Sequence, residues 1–171
     1  MVERKPYVYQ ERKVAGWCGP AVLAMGLVAL GFPVSQEELA QVAPYDPDWG
    51  TDHQSMLRGA RAFVLGTYET IGKGLDELGE LAEKNAVILN FMDTELGTEP
   101  RHGAGNGQDG HYVVLDKIIG NDVWVIDPNP VSPGYGGLRK IERDWLERHF
   151  WDIDRGNRVV ERWALVIPVS E

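Results

Sequence analysis

Cysteine is almost absent: the chain has one, Cys18, in 171 residues. A single thiol excludes an internal disulfide, and with it the disulfide-stapled scaffolds of small secreted proteins. The expected setting is therefore reducing and cytoplasmic, with the thiol free. Positive charge is also scarce, with 17 Lys and Arg against 26 Asp and Glu and a formal net charge of -9. No basic stripe is available to neutralise phosphates, so nucleic acid is set aside as a partner. Long apolar runs are missing too. The longest, AVLAMGLVALGF at residues 21–32, falls well short of the ~20 residues a bilayer span needs and suits a buried helix, so no membrane partner is expected. The charged N-terminus MVERKPYVYQERK has no apolar stretch behind it before Trp17. It does not read as a signal peptide.

What remains is an ordinary globular composition, 43% hydrophobic and 25% charged. The length fits one domain, residues 1–171. No repeat or linker divides it. The first half reads as helical. Cys18 to Leu30 holds good helix formers and ends at Gly31 and Pro33. Ser35-Gln36-Glu37-Glu38 is a capping box that starts a short helix running to about Ala43. Thr51-Asp52-His53-Gln54 offers a second such start, followed by Met56, Leu57, Ala60 and Phe63 on one face. A third helix begins near Leu75. The second half reads as sheet: AVILNF (86–91), HYVVLDKII (111–119) and DVWVID (122–127), the last two joined by a Gly120-Asn121-Asp122 hairpin turn. IERDWLERHF (141–150) predicts a short helix, and RVVERWALVIPV (158–169) one or two strands. Helices followed by antiparallel strands give an α+β fold with the helices on one side of the sheet. The Gly-rich stretch from Gly97 to Gly110 reads as a long surface loop, a candidate lid.

Cys18 sits in GWCGPAVLAM, at or just before a helix start. The first amides of a helix point outward unpaired, and its dipole places positive potential there. A thiol in that place is biased toward thiolate, and the same amides can donate to an oxyanion. A lone cysteine is otherwise most often a small buried hydrophobe. His111 opens a strand directly after the Gly-rich loop, where an imidazole can act as a base across a cleft. His53 at a helix start, His102 in the loop and His149 on a helix surface are weaker candidates. Asp127 closes the next strand. If the two strands pair, its carboxylate can lie near His111 and orient it. Otherwise it is a turn aspartate before Pro128. Gln10 lies upstream, and its amide can supply an oxyanion donor. Trp17, Trp49, Tyr112 and Trp124 are aromatic residues near the expected cleft.

Gln10, CGPAVLAM, GHYVVLD and VWVIDP, in that order, resemble the bacteriocin-processing, double-glycine leader peptidase family and its papain-like relatives. GTDHQSMLRGAR, LDELGELAEKNAVILNF and IERDWLERHFW extend the likeness over roughly residues 6–168. The resemblance implies a papain-like cysteine proteinase fold, with an N-terminal helical lobe packed on a C-terminal antiparallel sheet. It implies Cys18 as nucleophile, His111 as general base and then acid, Asp127 as its orienting group, and Gln10 sharing the oxyanion hole with the Cys18 amide. This chain departs from the family's pattern in three ways. Gln10 lies eight positions before Cys18, farther than the family places it. The loop before His111 is long. The processing peptidases are usually fused to a membrane exporter, and no such segment is here, so a leader-peptide substrate does not follow.

These readings point to acyl transfer through a cysteine nucleophile, with no cofactor and a peptide or other acyl substrate as partner. Attack by water would make a peptidase or amidase; attack by an amine or thiol would make an acyltransferase. A non-catalytic peptide-binding domain of the same fold, or zinc held by Cys18, His111 and Asp127, are the alternatives of other classes. No close-spaced ligand pair supports the zinc.

Overall fold

A helix that is apolar on every side must be covered on every side. The first helix, α1 (Cys18–Ala29), has every residue but Val28 buried, as its continuous apolar content requires. The computed structural model describes residues 4–47, 50–92, 110–129, 137–156 and 158–169. Within them α1 is followed by α2 (Gln36–Val42), α3 (His53–Arg61), β1 (Tyr68–Thr70), α4 (Leu75–Ala82), β2 (Ala86–Met92), β3 (Gly110–Ile119), β4 (Asp122–Ile126), β5 (Leu138–Glu142), α5 (Arg143–His149), β6 (Trp151–Ile153), β7 (Val159–Glu161) and β8 (Ala164–Ile167). Six strands form one antiparallel sheet in the order β1-β8-β2-β3-β4-β5, and β6 pairs with β7 apart from it.

The capping box is present: the Ser35 hydroxyl accepts from the Glu38 amide, and the Glu38 carboxylate accepts from the Ser35 amide. The start of α3 falls one residue later than the Thr51 reading. Asp52 is the N-cap, its carboxylate accepting from the Ser55 amide at 2.7 Å. Asp is a stronger N-cap than Thr, which accounts for the shift.

β2 pairs with β3 along its length, Asn90 opposite Tyr112 and Phe91 opposite His111. β3 and β4 form the expected hairpin, with a bulge between Leu115 and Lys117. Alternation along these strands divides the interior into two cores. Ile88, Tyr112, Val114 and Leu165 face α1, α2 and α3. Val87, Leu89, Val113, Val125 and Val166 face α4 and α5. The expectation that the helices share one side therefore holds for α1–α3, while α4 and α5 cover the opposite face. Strands β2 and β8 require this, since every residue of both is buried and all but Asn90 are apolar.

The expected helix over 141–150 begins only at Arg143, because Ile141 and Glu142 belong to β5 and pair with Val123 and Asp122. β5 is an edge strand with one buried residue, Ile141, so it carries no apolar run to announce it. The closing segment is two strands in different sheets, separated at Arg162, whose φ of 53 turns the chain.

Candidate active site

The start of α1 is fixed by two close approaches. Gly16 has φ +85, and a Cβ there would come within 2.6 Å of the Tyr45 ring. A Cβ on Gly19 would come within 2.7 Å of Thr51. Cys18 is the first helical residue, and no side chain caps the helix ahead of it. The thiol is thus held at the positive end of an uncapped helix, where the strands of the sheet end.

His111 lies at the start of β3, and Asp127 directly follows the neighbouring strand β4. Their side chains are buried and in contact: His111 Nε2 lies 2.7 Å from Asp127 Oδ1. Asp127 is fully buried, and its carboxylate accepts from the Asn129 amide at 2.9 Å and from Arg139 at 2.9 Å. Both carboxylate oxygens thus have partners, as a buried charge requires. The other nitrogen of the ring is left for Cys18, with which His111 shares a hydrogen bond. The Phe91 ring meets the imidazole edge-on at 6.1 Å.

The electrostatics of the three groups are opposed by burial and won by their neighbours. Burial pushes the Cys18 thiol up, but the hydrogen bond and charge of His111, the Tyr112 amide and Arg12 bring it below its ordinary value. Burial pulls His111 down, but the charge and hydrogen bond of Asp127, joined by Cys18, hold it at about 10. Burial pushes Asp127 up, but His111, Asn129 and Arg139 hold it at about 2. A thiolate beside an imidazolium is the arrangement these directions describe, and it is nucleophilic at neutral pH.

Gln10 lies half-buried on the extended segment that leads to α1. Its backbone amide donates to Met25 Sδ at 3.3 Å, and its side-chain oxygen accepts from Gln36 Nε2 at 3.5 Å. Gln36 was legible only as a position in a capping box, yet it is buried to 1% exposure. It also donates to the Glu11 carbonyl at 2.9 Å and accepts from the Lys13 amide at 3.0 Å. From the other side the Arg12 amide donates to the Pro128 carbonyl at 2.9 Å. Residues 10–13 are thus pinned between α2 and the end of β4.

Arg139 is the second residue that sequence reasoning missed, because β5 was not recognised as a strand. Its signal is register: Arg139 lies opposite Val125, two residues from Asp127 on the same face. His53 is not simply a helix-start residue. It stacks on Trp163 at 4.1 Å, with its Nε2 3.7 Å from Asp152. His149 stacks on Trp145 at 3.9 Å. Tyr112 is buried, and its hydroxyl donates to the Thr51 carbonyl at 2.8 Å; Trp17 and Trp124 are half-buried. His102, Trp49 and the stretch from Gly97 to residue 109 lie outside the described residues. Among the described residues no group of three or more His, Cys, Asp and Glu could hold a metal ion. No described helix is long and apolar enough to cross a membrane.

The model of the Peptidase_C39 like family matches residues 3–152 of the chain. Several solved structures are similar to it. A C39-like peptidase from Bacillus anthracis superposes with a TM-score of 0.70 at 18% identity, covering 97% of this chain and 94% of that one. The peptidase domain of Streptococcus ComA, a bifunctional ABC transporter of a quorum-sensing pathway, gives 0.66 at 17%, covering 95% and 99%. A double glycine motif protease from an AMS/PCAT transporter, solved with the leader peptide, gives 0.62 at 21%, covering 97% and 94%. At these identities the likeness establishes the fold, which is papain-like. No curated protein sequence matches the chain.

Proposed function

We propose that this chain, which belongs to the Peptidase C39-like family, is a cysteine peptidase that works through Cys18, His111 and Asp127 by way of an acyl-enzyme. The observation that carries the reading is the His111 imidazole, held between the Asp127 carboxylate at 2.7 Å and the Cys18 thiol.

The Cys18 thiolate attacks the carbonyl carbon of a peptide bond. The S–C bond forms as the carbonyl π pair moves onto oxygen. The oxyanion is met by the Cys18 amide at the head of α1 and by the side-chain amide of Gln10, whose oxygen is already engaged by Gln36. Collapse breaks the C–N bond, and the His111 imidazolium gives its proton to the departing amine. Water then attacks the thioester while His111 takes a proton from it. The second collapse releases the carboxylic acid and restores the thiolate. Asp127 stays ionised throughout and stabilises the imidazolium; Arg139 and the Asn129 amide keep it so.

Iodoacetamide labelling at mildly acidic pH, followed by intact-mass spectrometry, tests the reading. Rapid single labelling of the wild type, slowed in His111→Ala, supports an activated thiolate. Slow labelling of both makes Cys18 a structural residue and overturns the assignment.

A further inference from the structure

Beside Cys18 lies a cavity of about 620 Å³, within the range that small-ligand and side-chain pockets occupy. Two contacts join it to the site. Tyr112, which lines the cavity, gives its backbone amide to the Cys18 thiol. Thr51, also in the lining, packs against Gly19, the residue after Cys18. Thr51 is 3% exposed, and its hydroxyl has no hydrogen-bond partner among the described residues.

Part of the wall is apolar, formed by Trp163, Tyr112, Ile153 and Val160. The charges are not balanced. Five carboxylates (Asp52, Glu69, Asp152, Asp154 and Glu161) stand in the lining against two arginines. Both arginines are already engaged, Arg155 with Asp52 at 3.1 Å and Arg158 with Asp154 at 2.8 Å. Glu69 accepts from the Trp163 indole at 2.9 Å.

Asp152 is the informative residue. Its side chain is only 16% exposed. It accepts from the Ile153 amide at 2.7 Å and from the Asn90 side chain. Among the described residues the basic group paired with it is His53 Nε2 at 3.7 Å, and burial holds that imidazole down at about 4, so it is neutral at pH 7. Among the described residues Asp152 has no cationic partner at pH 7; a carboxylate so buried is costly, and here it faces a cavity large enough to admit a cation.

We propose that this cavity is a specificity pocket that takes a basic side chain, lysine or arginine, of the peptide substrate, with Asp152 as its counter-charge. The apolar part of the wall holds the aliphatic stem, and the carboxylate meets the charged head. The proposal rests on the reading of Cys18 as nucleophile for where the cleaved bond lies relative to the pocket.

The test uses peptides that differ only by arginine against citrulline, its neutral isostere, at one position. The substitution is scanned along the residues on either side of a central amide. Binding to Cys18→Ala is measured by calorimetry, which needs no turnover. The expected result is one position at which arginine binds at least about tenfold more tightly than citrulline, the scale of one charge-assisted hydrogen bond. In Asp152→Asn that ratio falls to about one. Asp152→Ala is the second variant if the first does not fold. Equal binding of both peptides at every position, or a preference for arginine that survives loss of Asp152, overturns the proposal. The wild type, incubated with the same peptides and with iodoacetamide, separates the two readings. Rapid labelling of Cys18 with no arginine preference sinks the pocket alone. An inert Cys18 with the preference and its Asp152 dependence intact sinks the peptidase alone.

Discussion

His111 and His53 each face an aspartate in a buried setting, but at neutral pH the first imidazole is charged and the second is neutral. His111 and Asp127 are 2.7 Å apart and ionised, the imidazole at about 10 and the carboxyl at about 2. His53 and Asp152 are 3.7 Å apart, the imidazole at about 4 and the carboxyl at about 6. Burial acts in the same direction on both pairs, and it is the largest single influence on each group. What differs is company. Asp127 has a guanidinium and an amide on its remaining lone pairs, and His111 has a thiol on its other nitrogen. His53 has an indole face instead. A short pair whose carboxylate also meets a guanidinium overcomes desolvation; a longer one whose carboxylate meets only neutral donors does not.

The comparison breaks most visibly at His111. An ordinary thiol is only about 0.3% thiolate at pH 6. His111→Ala is therefore expected to slow alkylation of Cys18 at that pH on the order of 100-fold, read by intact mass. The matching change at His53 should move that rate little. Next in size is the separation of nucleophile from oxyanion. Gln10→Ala should cut kcat for peptide hydrolysis by ~100-fold, the scale for one oxyanion donor, while alkylation, which forms no oxyanion, keeps its rate. Gln36→Leu should lower kcat several-fold at nearly constant KM, because it frees the segment that carries Gln10. If Gln10→Ala slows alkylation and hydrolysis equally, Gln10 is a structural residue.

Asp127→Asn removes the support of the ionised pair and takes the carboxylate away from Arg139. Alkylation at pH 6 should slow about tenfold, and denaturant unfolding should show a loss of ~3–5 kcal/mol, the cost of taking one partner from a buried ion pair. The smallest effect lies in the second pair. His53 is depressed from 6.5, so its contribution to stability is present above pH 6.5 and is lost as pH falls through about 4. Asp152 is raised from 3.8, so the folded state gains stability as pH falls through about 6. The two trends oppose each other in the wild type. His53→Phe should expose the Asp152 trend, with stability rising on the order of 1–2 kcal/mol between pH 6.5 and 4 relative to wild type. An unchanged pH dependence in that variant would mean the pair is not in the state described. At the alkaline end the sign is set by the first pair: the contribution of His111 is whole below pH 6.5 and is lost as pH rises through about 10.

The elements that carry strong local signals were legible in the sequence. The apolar run of α1, the capping box of α2 and the β3–β4 hairpin all lie where pattern and turn chemistry put them. So does Cys18 at a helix head, and the contact of His111 with Asp127 follows from pairing two recognisable strands. β1 and β5 were not legible, because edge strands bury few side chains and need no apolar alternation. With β5 went Arg139. Gln36 was hidden for another reason: its burial depends on which segment crosses it, and nothing in QEELAQV says that residues 10–13 do.

By itself, then, the sequence determined the α+β class, the helix that carries Cys18 and the strands that carry His111 and Asp127. Those follow from periodicity, capping and turn preferences, which act over a few residues. Only the tertiary structure decided the charge on each histidine, the clamp on Gln10 and the pairing of His53 with Asp152. These depend on burial and on distances between segments far apart in the chain, 99 positions for His53 and Asp152 and 116 for Arg12 and Pro128, and electrostatics at such contacts changes sign with an ångström of separation and one hydrogen-bond partner.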